Sequence, residues 1–206
     1  VAHNFLSTTF TAAVLREQKS YYGHARQIPP APGPDELGDL EEVFIGQRDS
    51  FYIASVNGDG WPYIQHRGGP RGFLKFIDSR TLGFADLAGN RQLLTAGNVA
   101  DNDRVALFLM DYPRRERLKI LGHSEVIPAS SAPAALLAEL TPEGIPTAMV
   151  ERLFRIRVTA YDWNCPKYIT PRFTVAEVEQ AAAPLKRRIV ELEAELTALR
   201  ASRASG

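Results

Sequence analysis

The sequence predicts a mainly β protein of the α+β type: an antiparallel barrel of six or seven strands with short peripheral helices and a C-terminal helix. Three observations carry this expectation. Apolar, β-branched and aromatic runs recur at short spacing from Phe51 to Tyr161, with little helical pattern between them. The first two runs are joined by Asn57-Gly58-Asp59-Gly60, a strong hairpin turn. After Phe173 the apolar positions recur at alternating fours and threes, which is a helical period. Strands and helices do not alternate, so a doubly wound α/β sheet is not expected.

Phe10 to Lys19 reads as a helix with Thr11 as its cap. Ile28-Pro29-Pro30-Ala31-Pro32-Gly33-Pro34 cannot continue it, because proline lacks an N–H and restricts its predecessor. That segment reads as an extended surface arm, and Leu37 to Gln47 as a short helix leading to the first strand. Strands are expected at Phe51–Val56, Trp61–Arg67, Phe73–Ile77 and Thr81–Ala85, the last two joined by the turn Asp78-Ser79-Arg80. Arg91 to Asn98 reads as a short crossing helix. Arg104 to Asp111 is apolar on both faces, as a central strand should be. Arg117 to Ile127 is the next strand, and Ser131 to Leu140 a short capped helix. Phe154, Ile156, Val158 and Ala160 alternate with Arg155, Arg157, Thr159 and Tyr161 in a last half-buried strand.

Thr174-Val175-Ala176-Glu177 has the form of a capping box and opens the tail helix. Val178, Ala182, Leu185, Ile189, Leu192, Leu196 and Leu199 then make a heptad seam. Two readings of that seam stay open, a stripe laid on the chain's own barrel and a dimer contact. Pro184 is expected to kink or restart the helix, and Ala201 to Gly206 to fray.

At 206 residues the chain has room for one well-buried domain with a terminal appendage. Lys+Arg and Asp+Glu each number 24, so no overall field favours nucleic acid or a membrane surface, and neither is an expected partner. No run approaches a membrane span, and the N-terminus lacks a charged-then-apolar signal pattern. The chain opens on Val1 rather than methionine, as a processed or trimmed protein would. The single cysteine, Cys165, excludes an intramolecular disulfide and fits a reducing cytoplasm, the expected location. His3, His24, His66 and His123 have no ligand spacing, so no metal site is expected. There is no GxGxxG, no P-loop and no Gly-x-Ser-x-Gly element.

The chemistry concentrates in two clusters, each at the end of an apolar strand. One is Gln65-His66-Arg67-Gly68-Gly69-Pro70-Arg71-Gly72-Phe73; the other is Asp86-Leu87-Ala88-Gly89-Asn90-Arg91-Gln92. Arginine supplies a forked, permanent charge, and glycine lets backbone N–H groups approach an anion, so the pair suits a bound phosphate. In a strand Gln65 and Arg67 share one face and His66 takes the other. If Arg91 and Gln92 open a helix, its free N–H groups join them as a phosphate seat. Arg117 and Lys119, from a third basic group, fall on one face of the next strand.

These residues resemble the pyridoxamine 5′-phosphate oxidase-related flavin-binding proteins. The likeness rests on Asp49-Ser50-Phe51-Tyr52-Ile53, Gly60 to Pro70, Gly89-Asn90-Arg91-Gln92, Leu107 to Pro113, Arg117-Leu118-Lys119 and Asp162-Trp163-Asn164-Cys165-Pro166. It implies a split β-barrel over residues 49–173, preceded by a helix and arm over 1–48 and followed by an amphipathic helix over 174–206. It also implies a homodimer holding FMN in two equivalent interface clefts. By the same resemblance Arg67 reaches the FMN phosphate with Gln65, His66, Gly68 and Gly69 around it. Asn90, Arg91 and Gln92 form the phosphate corner. Phe84, Ala85 and Asp86 run alongside the isoalloxazine, Arg117 faces the ring with Lys119 on its face, and Trp163 and Asn164 come from the other subunit. The expected function is a flavin-dependent oxidoreductase acting on a small-molecule substrate, with no catalytic residue assigned. Rival readings are a flavin or haem carrier or sensor, and a deazaflavin-dependent or B6-vitamer oxidase of the same fold. After Trp163 the chain lacks the Arg-x-His element that helps hold pyridoxal phosphate in the vitamer oxidase. Lys167-Tyr168 stands where relatives with a Trp-Asn-Cys-Pro run have Gln-His.

Overall fold

A computed structural model describes residues 3–31, 33–89, 91–163 and 166–204. Seven strands form one sheet in the order β2-β1-β5-β6-β7-β4-β3. They are β1 (Ser50–Val56), β2 (Pro62–Gly68), β3 (Lys75–Asp78), β4 (Thr81–Leu87), β5 (Arg104–Asp111), β6 (Glu116–Pro128) and β7 (Val150–Trp163). Every neighbouring pair is antiparallel. The helices are α1 (His3–Thr9), α2 (Ala12–Tyr22), α3 (Asp39–Gly46), α4 (Leu94–Asp101), α5 (Ala134–Leu140) and α6 (Val175–Ala204). Among the described residues, no helix is long and apolar enough to cross a membrane.

The sheet rolls up on itself. Phe51 of β1 meets Phe84 of β4 edge to face at 5.3 Å, although three strands separate them in the sheet. Phe84 in turn stacks on Phe154 of β7 at 4.8 Å. These rings fill a core shared with Ile53, Leu107, Leu109, Leu118, Ile120 and Ile156, all fully buried. The curvature has a local origin in the long β6–β7 pair, whose register shifts between Leu121 and Gly122. A Cβ at Gly122 would lie 2.6 Å from the Arg157 carbonyl oxygen, so only glycine lets the bulged backbones approach.

Strand β5 differs from expectation. Val105, Leu107, Leu109 and Asp111 are buried, but Ala106, Phe108 and Met110 on the other face remain half-exposed. Only one face of this apolar strand meets the core; the other looks outward.

The helices follow their caps. The Thr11 side chain accepts from Val14 N at 3.4 Å, and Gly23, left-handed at φ 75°, closes α2. Glu41 in α3 is buried; one carboxylate oxygen accepts the Gly38 N–H at 2.9 Å, the other the Trp163 indole N–H at 2.6 Å. Burial and the nearby Glu41 and Asp35 carboxylates raise the Tyr161 phenol above its ordinary range. The proline-rich arm is anchored at its end, where Asp35 N donates to Thr159 O and Leu37 N to Ser79 O.

Three expectations are corrected. The crossing helix α4 starts at Leu94, not Arg91, because Arg91 and Leu93 adopt left-handed φ of 58° and 56°, which no helix can include. Ser131 does not cap α5; it closes a single 3₁₀ turn by donating to Pro128 O, and Pro133 stands at the entry to α5. Pro184 does not interrupt α6, which runs from Val175 to Ala204. It removes one backbone donor from an exposed stretch, where water can satisfy the orphaned carbonyl. The capping box forms as expected: Glu177 N donates to Thr174 Oγ1, and Thr174 N donates to Glu177 Oε2. The Thr174 N–H and, after it, the Thr174 hydroxyl donating to Glu177 Oε2 at 2.8 Å hold the Glu177 carboxyl below its ordinary range.

Arg48 crosses from α3 to the barrel end, bonding Asp111 at 2.7 Å and the carbonyls of Phe44 and Met110. Asp111→Ala leaves this largely buried guanidinium without its counter-ion. A loss of about 3 kcal/mol in stability is expected, read from the urea midpoint.

Candidate functional site

Two clefts on the rolled sheet receive arginines from its strands. The first has a volume of about 230 Å³ and lies where β2, β4, β7 and the turn before α4 converge. Gln65 and Arg67 enter it from β2, Asp86 from β4, Arg91 and Gln92 from the turn, and Glu151 and Arg152 from β7. Thr95, buried in α4, donates its hydroxyl to Gln65 Oε1 at 2.7 Å and fixes that amide.

Arg67 is the hinge of this cleft. Its Nη1 bonds Asp86 at 2.5 Å, and its guanidinium lies 5.6 Å and 5.3 Å from the ring centroids of Phe84 and Phe154. The second Asp86 oxygen takes Arg152, which also holds Glu151. Three arginines therefore face two carboxylates, leaving the cleft with one net positive charge. Arg67 Nε is buried with no hydrogen-bond partner.

The second cleft, about 670 Å³, lies on the outward face of β1, β5 and β6. Tyr52, Ala54, Ile64, Phe108 and Met110 give it an apolar floor, and Arg117 and Lys119 reach it from β6. The Arg117 guanidinium sits 5.6 Å from the Phe108 ring centroid. Its Nε is also buried without a partner. Lys119 is held by Asp162 at 2.6 Å and lies over the Phe5 ring.

The structure thus brings Gln65, Arg67, Asp86, Arg91 and Gln92 together, and places Arg117 and Lys119 in a different cleft. His66, Gly68, Gly69, Phe84 and Ala85 line neither. His66 faces outward against Tyr52, with ring centroids 5.5 Å apart. The Gly69 N–H is already given to the Asp49 carbonyl, and a Cβ there would strike Phe73 at 2.7 Å. That glycine serves a packed corner and not an anion, a correction to the phosphate reading of the segment. The Phe84 ring is in the core, which leaves only its backbone to meet a ligand. Trp163 packs edge-on to Phe44 with its N–H on Glu41, inside its own subunit. Asn90 and Asn164 lie outside the described residues. The helix-end seat expected at Arg91 is replaced by a left-handed turn, since α4 begins three residues later.

Arg152 lines the first cleft, and the two basic clusters of the sequence do not include it. The alternation of Phe154 and Ile156, carried two residues upstream, puts Arg152 on the inward face, where an arginine needs a partner. In the sheet it stands directly opposite Asp86. Among the described residues no cluster of three or more metal-ligating side chains occurs.

A family model described as pyridoxamine 5′-phosphate oxidase matches residues 37–161. No curated protein matches the chain in sequence. Solved structures do resemble it. One is a Clostridium acetobutylicum protein related to general stress protein 26, of the pyridoxinephosphate oxidase family: 12% identical, covering 68% of this chain and 94% of that one, TM-score 0.48. Another is HupZ from group A Streptococcus: 13% identical, covering 66% and 100%, TM-score 0.47. A conserved hypothetical protein of Mycobacterium tuberculosis is 16% identical, covering 71% and 97%, TM-score 0.47. At these scores none of them bears on what the chain does.

Asp86→Asn strips the counter-ion from two arginines that are each under a fifth exposed. It is expected to cost about 3 kcal/mol of stability, and added inorganic phosphate to recover part of it by binding the freed cations. A variant melting temperature unmoved by phosphate would count against the first cleft as an anion seat.

Proposed function

The chain belongs to the pyridoxamine 5′-phosphate oxidase family, whose model spans well over half of it, and on that premise we propose that it binds FMN and acts as a flavin-dependent oxidoreductase on a small substrate. One observation carries the reading. Of the three buried side-chain polar atoms left without partners among the described residues, two are the Nε atoms of Arg67 and Arg117. A buried N–H donor on a cation is costly to leave unmet, and an acceptor brought by a ligand to these clefts would relieve that cost. These are the two arginines that the family resemblance assigns to opposite ends of a flavin.

The clefts suit the two ends of that cofactor. The first is small, polar and net positive, which fits a phosphate held by Arg67, Arg91 and Gln92. The second is larger, with an apolar floor and the cations Arg117, Lys119 and Arg172 in its lining, which fits a flat aromatic ring with a polar edge. Once bound, FMN would supply hydride or electron transfer. The chain's part is to anchor, to exclude water with Tyr52, Phe108 and Met110, and to hold the Arg117 guanidinium beside the ring.

Because the two arginines stand in separate clefts, a second copy of the chain is the natural source of the missing half. A two-fold axis would set the first cleft of each protomer against the second cleft of its partner. It would also cover the outward apolar face of β5, which is unusual for an exposed surface.

Purified protein is expected to be yellow and to release FMN on heating; colourless protein that takes up no FMN refutes the reading. Arg91→Ala leaves the Arg67–Asp86 pair intact and is expected to weaken FMN binding by about 2 kcal/mol. Arg67→Ala should cost about 2–4 kcal/mol of binding and stability as well. Normal flavin retention in the double variant would refute the phosphate assignment. Mixing Arg67→Ala with Arg117→Ala protein and reassembling the dimers should restore flavin to about a quarter of the sites, since each mixed dimer regains one intact cleft. No recovery would place both arginines in the same protomer's site. Oxidation of a reduced nicotinamide by the loaded protein separates an enzyme from a passive carrier.

A further inference from the structure

Helix α6 has no use in the site just described, yet it spans 30 residues, about 45 Å. Its seam is uncovered: Val178, Leu185, Ile189, Leu192, Leu196 and Leu199 are between 46 and 68% exposed. The chain's own barrel therefore does not take this stripe, which removes one of the two readings open at the sequence level. An amphipathic helix gains most of its stability by burying such a face.

We infer that α6 pairs in parallel and in register with α6 of a second copy, forming a short two-stranded coiled coil that clamps the dimer; the parallel sense rests on the shared-cleft reading above. The occupant is set by the charges flanking the seam. Numbered as heptads, Leu185, Leu192 and Leu199 fall at d and Ile189 and Leu196 at a, a pattern compatible with two parallel strands. In register, Arg188 at g faces Glu193 at e of the partner helix, and Glu195 at g faces Arg200 at e. Two-fold symmetry doubles both pairs. Sliding one helix by a heptad sets one Arg188 against Arg200, the other against Lys186, and one Glu195 against Glu193, so the same charges that favour the correct register penalise its neighbours. The Arg188 side chain reaches Glu191 and Glu195 on its own helix, and pairing with the partner would compete with those exposed contacts.

An antiparallel pair would also satisfy charges, with Arg188 on Glu195 and Lys186 on Glu193. It would centre between Ile189 and Leu192 and hold the two barrels at opposite ends of the coil, where they could not share clefts. Two variants of the full-length chain separate the arrangements. In Leu199→Cys, with the unmodified chain as control for Cys165, parallel helices place the two new thiols side by side, and mild oxidation should give a covalent dimer. Antiparallel helices would hold them about 25 Å apart. Arg188→Glu should raise the dimer dissociation constant about tenfold or more, read by sedimentation equilibrium. Adding Glu193→Arg should restore it in a parallel coil and weaken it further in an antiparallel one, where the introduced guanidinium would meet Lys186. Absence of the crosslink, or failure of the double reversal to rescue, overturns the inference. Bound FMN per chain is measured on the same samples. Yellow protein without the crosslink sinks the helix pairing and leaves the flavin reading standing. Colourless protein that crosslinks and is rescued sinks the flavin reading alone.

Discussion

The ion cluster of Arg67, Asp86 and Arg152 holds the ends of the sheet together. Arg67 stands on β2, one edge of the seven-stranded order, while Asp86 and Arg152 stand on β4 and β7 near the other. Among the described residues no backbone ladder joins those ends, so the stack of Phe51, Phe84 and Phe154 and this cluster close the barrel. The aromatic rings add to the driving force of an otherwise aliphatic core, since burying each removes a large apolar area from water. The ions supply direction: a half-buried carboxylate shared by two guanidinium groups tolerates little displacement before a charge is left unpaired.

That arrangement also keeps the arginines of the first cleft together. Asp86 neutralises part of the charge of Arg67 and Arg152, so the arginines do not repel one another in the free protein. It does so on the Nη1 side of Arg67 and leaves Nε unmet. The residue that closes the fold is thus the one with an unused donor at the cleft. On the far side of the sheet, the bulge at Gly122 bends β6 and β7, and β5 keeps Phe108 and Met110 outside the core. The second cleft is the outer surface of that bend.

The strands are legible in the sequence because period-two alternation survives in most of them, and the expected strand Arg104–Asp111 matches β5 to the residue. Sequence cannot show which face of β5 is left outside, since both faces are apolar and only the rolled sheet distinguishes them. Residues Arg67, Gln65, Asp86, Arg91 and Gln92 do meet in one cleft, as side chains at strand ends sharing a face should. The glycines beside them differ from expectation. Gly69 lies against Phe73 with its N–H already committed, a fact that depends on a neighbour four residues away in a folded corner. The helix expected from Arg91 starts instead at Leu94, after a left-handed Leu93.

By itself the sequence determined the local grammar: where strands and helices run, where Thr11 and Thr174 cap, and which strand faces carry arginine. These follow from side-chain period and from bonds spanning a few residues, which chain order preserves. Only the tertiary structure decided that Arg152 shares Asp86 with Arg67, that Arg117 occupies a separate apolar cleft, and that the α6 seam finds no cover on its own barrel. Each of these depends on contacts between segments far apart in the chain, or on their absence. They exist only once the sheet has curled, because closure energy is a property of the whole barrel and is written in no single stretch of residues.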